Sequence, residues 1–208
     1  IGTRGTFEEE YDFDVETGLE GNFVNGFYES EHIRYGEWNF GFPTESQSLL
    51  NLPNAKIIKL FIEDEEFSML TGEIEDYKRV LHMKEGRITR DLIWVSPKGK
   101  KIKISISRFV SFNNKNLMEI RYKVTPLNFS GNLKFISAID ANVENHTRKT
   151  NPLVDYGPFG KRLANDYIDS IKDELYYEGT TLNSELSIAC GAVNKISAEN
   201  FIRKNFKN

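Results

Sequence analysis

From Tyr77 to Asp140 apolar and polar residues alternate at period two in successive runs separated by turn residues. No other feature constrains the fold so tightly. A strand turns successive side chains to opposite faces, so each run has one face to bury and one to wet, the pattern of half-buried antiparallel strands. Residues 87–95 form one run, closed by Ser96-Pro97-Lys98-Gly99, where Pro presets a turn dihedral and Gly accepts a positive φ. In residues 101–109, Ile102, Ile104 and Ile106 point one way and Lys103, Ser105 and Ser107 the other. After Asn113-Asn114-Lys115-Asn116, the next run sets Met118, Ile120, Tyr122 and Val124 against Glu119, Arg121 and Lys123. Pro126-Leu127-Asn128-Phe129-Ser130-Gly131 then leads into residues 133–139, where Leu133, Phe135 and Ile139 supply another inward set. The spacing predicts a four-stranded antiparallel meander from these four runs.

Outside the meander, residues 56–62 and 66–70 read as a short strand pair around Glu63-Asp64-Glu65, an acidic tip suited to solvent. Residues 163–177 admit a helix, since Ile168, Ile171 and Leu175 recur at near-helical spacing, but Tyr176, Tyr177 and Gly179 spoil its end. Leu186, Ile188 and Cys190 alternate with small or polar residues, which predicts a late strand over residues 183–193. Residues 198–206 read as a helix with Ser197 as N-cap and Asn200 where a capping box would place Glu or Gln. The longest loop candidate is 142–160. Many short strands with frequent turns point to an all-β, large antiparallel β-sandwich with little helix.

At 208 residues the chain has room for a proper core and is read as one domain. No apolar run approaches the ~20 residues of a membrane span. A net charge of −4, with lysines scattered and not clustered, leaves no footprint for a phosphate backbone, so nucleic acid is not an expected partner. The single Cys190 cannot form an internal disulfide, and a reducing cytoplasm is expected.

The residues offer little self-contained chemistry. His32, His82 and His146 are too far apart in sequence to mark a metal site, and no cysteine pair exists, so no metal is expected. Cys190, between Ala189 and Gly191 on the apolar side of a strand, reads as an inert buried thiol. The contiguous carboxylates Glu8-Glu9-Glu10 and Glu63-Asp64-Glu65-Glu66 read as solvated faces, whereas a glycosidase spaces its carboxylates across a cleft. Two features invite more. In Gly2-Thr3-Arg4-Gly5 the glycines permit close backbone approach and Arg4 offers a rigid fork for a carboxylate or carbonyl; an ordinary turn reads equally well. Tyr35, Trp38, Phe40 and Phe42, with Gly36, Gly41 and Pro43, form an aromatic loop whose rings could stack on sugars or seal an interface. Packing or a domain interface is the expectation there, because stacking demands exposed rings.

Several blocks in order resemble the N-terminal domain of glycoside hydrolase family 65, mostly disaccharide phosphorylases. They are Ile1-Gly2-Thr3-Arg4-Gly5-Thr6-Phe7-Glu8-Glu9-Glu10, Asn22-Phe23-Val24-Asn25-Gly26-Phe27-Tyr28, Leu50-Asn51-Leu52-Pro53-Asn54, Tyr77-Lys78-Arg79-Val80-Leu81-His82, Trp94-Val95-Ser96-Pro97-Lys98-Gly99 and Pro126-Leu127-Asn128-Phe129-Ser130-Gly131. The resemblance implies a galactose mutarotase-like super-sandwich joined by a helical linker to an (α/α)6 barrel. It also implies that this chain, which starts in mid-motif without an initiator Met, is the N-terminal domain (1–208) of a larger, commonly dimeric enzyme. Arg4 and Glu8 would then face the catalytic domain, and Tyr35, Trp38 and Phe40 would serve an interface or a sugar. The implied reaction is inverting phosphorolysis of an α-glucosyl disaccharide, kojibiose first, with inorganic phosphate as co-substrate and no cofactor. The catalytic residue is expected beyond Asn208, so none is assigned here. A free-standing carbohydrate-binding sandwich and a self-sufficient glycoside-active enzyme are the competing readings.

Overall fold

The computed structural model describes residues 1–4, 21–145, 154–155 and 160–207. Its strands are β1 (Gly2–Arg4), β2 (Gly21–Phe23), β3 (Tyr28–His32), β4 (Arg34–Tyr35), β5 (Glu45–Leu49), β6 (Asn54–Ile62), β7 (Glu65–Glu66) and β8 (Glu73–His82). There follow β9 (Arg87–Val95), β10 (Lys101–Val110), β11 (Met118–Pro126), β12 (Leu133–Asp140), β13 (Val154–Asp155), β14 (Leu163–Ile171), β15 (Glu174–Thr181) and β16 (Ser187–Val193). No helix occurs among the described residues, and the sheets are antiparallel, as the alternation requires. The chain gathers into two compact units, one built on Lys56–Ser137 with the chain start, the other on Gly21–Ala55 and the described residues from Ala138 onward.

The first unit is a two-sheet sandwich. Its four-stranded sheet runs β11-β10-β9-β8 and its three-stranded sheet β12-β6-β7. Register sets Ile102 opposite Trp94 and Ile104 opposite Leu92, so one face presents a continuous apolar row. Leu60, Ile62 and Phe67 pack against that row, giving a core of eight buried residues with Ile106. Burial of each large side chain contributes about 1.5–3 kcal/mol. Trp94 is fully buried because its polar atom is satisfied: the indole N–H donates to the Thr71 carbonyl at 2.6 Å, while the ring meets Phe67 edge-on at 5.4 Å. On the outer face Ser105 donates to its cross-strand partner Asp91 at 2.6 Å.

The meander differs from expectation in membership. Its fourth strand is β8, which the sequence reading passed over, and β12 instead joins β6. The strand Glu73–His82 is charged and breaks its register between Ile74 and Asp76, which hid the period. The acidic tip also departs from expectation. Only Glu63 and Asp64 form the turn, while Glu65 is buried and accepts from the Ser96 hydroxyl at 3.0 Å and the Lys98 amide at 2.9 Å. It anchors the β9–β10 turn, with Lys100 Nζ a further 3.3 Å away.

In the second unit β14, β15 and β16 form one sheet, and β3 pairs with β5. The near-helical spacing after Leu163 belongs to a hairpin. Ile171 faces Glu174 across a two-residue turn in which Lys172 takes φ 53°, a turn without the Asn-Gly signal that would have announced it. The late strand is present as β16, where Ile188, Cys190 and Ala192 are the less exposed set. The core here holds Phe27, Leu50, Leu52 and Leu163, backed by Val24, Leu186 and Ile188. The helix expected over 198–206 is absent, for residues 201–207 have no regular structure. Phe201, Ile202 and Phe206 are exposed, so no apolar face is buried, and nine residues without tertiary packing do not sustain a helix.

Candidate functional site

The aromatic loop grows out of the second unit's framework. Strand β4 pairs with β13, setting Tyr35 opposite Val154, and the Ile33 amide donates to the Thr44 carbonyl at 2.9 Å, closing the loop's base. Inside, the Tyr35 hydroxyl donates to the Pro43 carbonyl at 2.8 Å and its ring lies 5.0 Å from that of Phe42. Asn39 accepts twice, from the Phe40 amide at its side-chain oxygen (2.9 Å) and from the Phe42 amide at its carbonyl (3.2 Å). Gly41, at φ 88°, makes the reversal that an L side chain would resist. Bracing takes place within the loop, and the rings at its tip face water: Trp38 is 65% exposed and Phe40 92%. Tyr35 and Phe42 meet at an interplanar angle of 43°, and Trp38 and Phe40 leave most of their surface uncovered.

Glu29 is a buried carboxylate that the sequence reading did not single out. Its Oε1 accepts from the Ser184 amide and hydroxyl, both at 2.7 Å, and from the Ser30 amide at 3.1 Å; its Oε2 accepts from the Asn183 amide at 3.0 Å. Beside it Arg162 pairs with Glu31 at 3.2 Å. Burial pushes the Glu29 carboxyl up, but the Ser184 hydroxyl and the three amides outweigh it and hold it below its ordinary value. Glu65 behaves alike: burial raises it, and the Lys98 amide, Ser96 hydroxyl and Lys100 prevail. The Lys98 side chain lowers Asp64, and the Tyr167 hydroxyl with the Ser170 amide lowers Asp169. A general acid for a leaving sugar oxygen must hold its proton near neutrality, which requires a raised value. These four carboxylates are tuned the opposite way and serve as structural acceptors.

In the first unit an open cleft of about 460 Å³ lies where the β8–β9 and β10–β11 turns meet, lined among others by Leu81, Ile88, Arg108, Phe112 and Lys115. Among the described residues that line it there is no carboxylate, the group that glycoside chemistry starts from. Among the described residues no cluster of His, Cys, Asp and Glu could hold a metal, and no helix is long and apolar enough to cross a membrane. His82 Nε2 lies 3.0 Å from Thr89 Oγ1, and His32 is exposed on β3. Burial pushes the Cys190 thiol up, which suppresses the thiolate. Arg4 lies in β1, but its side chain, with Glu8 and His146, falls outside the described residues.

Comparison with known proteins finds relatives among the disaccharide phosphorylases. The chain is 39% identical to an alpha,alpha-trehalose phosphorylase of Thermoanaerobacter brockii over 96% of its length, covering 26% of that protein. It is 30% identical to a kojibiose phosphorylase of Caldanaerobacter subterraneus subsp. tengcongensis over 99% of its length and 24% of that protein. A solved structure of a putative kojibiose phosphorylase from the human microbiome superposes with a TM-score of 0.73 at 20% identity, over 95% of this chain and 24% of that one, and supports the fold. The chain thus spans about a quarter of the length of these relatives. Since residues 1–207 match the family described as glycosyl hydrolase family 65, N-terminal domain, the chain belongs to that family.

Proposed function

We propose that this chain is the noncatalytic N-terminal β-sandwich domain of an inverting phosphorylase that splits an α-glucosyl disaccharide into β-glucose 1-phosphate and glucose. The family match along the whole chain carries this reading. The depressed carboxylates, and a cleft with no carboxylate among its described lining residues, support the noncatalytic part. In the parent enzyme a phosphate oxygen attacks the anomeric carbon while the bond to the leaving glucose breaks. One carboxylic acid, outside this chain, gives its proton to the leaving oxygen. Inorganic phosphate is the co-substrate and no cofactor takes part. The parent acts in the cytoplasm as a homodimer whose missing portion is the helical barrel. Kojibiose, expected from the aromatic segment, shares the substrate panel with trehalose, since the chain is 39% identical to the trehalose phosphorylase and 30% to the kojibiose phosphorylase.

The parent enzyme should release glucose 1-phosphate from trehalose or kojibiose only when phosphate is supplied, and this 208-residue chain should release none. Sugar release without phosphate, or turnover by the chain alone, would sink the reading. The exposure of Trp38 and Phe40 favours a second reading, a free-standing carbohydrate-binding module. Isothermal titration of the chain with glucose, kojibiose, trehalose and maltose separates the two, since the first predicts silence.

A further inference from the structure

We infer that the loop from Tyr35 to Pro43 is a docking element that seats Trp38 and Phe40 against the rest of the parent polypeptide. This rests on the reading of the chain as one domain of a phosphorylase. An occupant is called for because two large aromatic rings stand in water on a loop that is braced, and among the described residues no contact compensates for holding them there.

The polar groups decide what kind of occupant fits. A sugar site needs hydrogen-bonding groups beside the ring, directed at the sugar hydroxyls. Here the Asn39 side-chain oxygen and carbonyl both accept from the loop's own amides, and the Tyr35 hydroxyl points back to Pro43. Polar atoms turned inward and aromatic faces turned outward are the arrangement of a protein contact, in which a ring enters an apolar pocket and desolvation supplies the affinity. The relatives are about four times as long as this chain, so a protein surface covalently joined to the domain supplies such a pocket. Leu49, Val193 and Ile202 on the same unit are exposed as well.

The test is hydroxyl-radical footprinting of Trp38 in this chain and in the full-length parent, with buried Trp94 as the internal reference. At least a tenfold slower oxidation of Trp38 in the parent is expected, unchanged on dilution. Equal rates overturn the inference, and protection lost on dilution assigns the loop to a second copy instead. The pair Trp38→Ser and Phe40→Ser should leave the melting temperature of this chain unchanged and lower that of the parent. Failure of the paired variant to fold in this chain would show that the rings hold their own unit and would also overturn it. A Trp38 fluorescence change on adding millimolar trehalose, kojibiose or maltose to the chain hands the loop to a sugar. Protection of Trp38 in a parent without phosphorolytic activity would sink the proposed function and leave docking standing, and an active parent with Trp38 unprotected would do the reverse.

Discussion

Glu29 shows how a single residue ties distant sequence together. Its carboxylate gathers donors from Asn183 and Ser184, more than 150 positions away, and nothing in Tyr28-Glu29-Ser30-Glu31-His32 announces it. Read locally the segment looks like a charged, solvated strand, because the donors are backbone amides that become available only after folding. Glu29→Gln puts a donor where an acceptor is required and should cost about 2–4 kcal/mol in chemical denaturation. The pH dependence has a definite sign. Since the folded value lies below the ordinary 4.5, folded Glu29 binds its proton less readily than the unfolded chain. Its stabilisation is complete above 4.5 and is lost as pH falls through the folded value, so Glu29→Gln should flatten the acid limb of a stability profile. An unchanged limb would show that the carboxylate does not carry it. The two tryptophans make a residue-scale contrast: acrylamide should quench two populations, with Trp38→Phe removing the accessible one.

Among the elements, the central strands were legible because isoleucine alternation is strict and register repeats it on the neighbouring strands. Ile104 is fully buried between Leu92 and Val124 in the register, and Ile104→Ala should cost about 2–5 kcal/mol by calorimetry. The turns separate conformational strain from space. Gly99 and Gly72 share positive φ, 81° and 74°, but a Cβ on Gly99 would meet nothing within 4 Å. On Gly72 it would lie 2.3 Å from the Val95 carbonyl and 2.8 Å from the Trp94 indole nitrogen. Gly99→Ala should therefore cost about 1–2 kcal/mol and Gly72→Ala about 2–4 kcal/mol, read from denaturant midpoints. Similar losses would mean that strain alone governs both positions. Strand β8 and the β14–β15 hairpin were illegible for local reasons, a bulge in one and a turn without glycine in the other. Residues 198–206 failed in the opposite sense, since a helical pattern without a surface to pack on has no force to hold it.

As a whole molecule the chain has, among its described residues, two cores and no cluster that could hold a metal. Each core closes on its own set of residues, Ile102, Ile104 and Trp94 in one and Phe27, Leu50 and Leu163 in the other. The absence of turnover predicted for the chain alone therefore belongs to this scale, and a coupled assay for glucose 1-phosphate checks it against the parent. The candidate site was legible only in outline. Residue type marked Tyr35, Trp38 and Phe40 as a contact loop, but exposure depends on what surrounds a ring and cannot be read from the ring's identity.

By itself the sequence determined the strand-rich class, the inward rows of β10 and β11, the turn at Ser96–Gly99 and the family blocks, because each follows from interactions among neighbouring residues or from their order. Tertiary structure decided that β12 leaves the meander for β6, that Glu29 and Glu65 are buried acceptors, and that Trp38 and Phe40 remain in water. Those outcomes depend on which distant surfaces meet, and period-two alternation says which face of a strand is dry without saying what dries it.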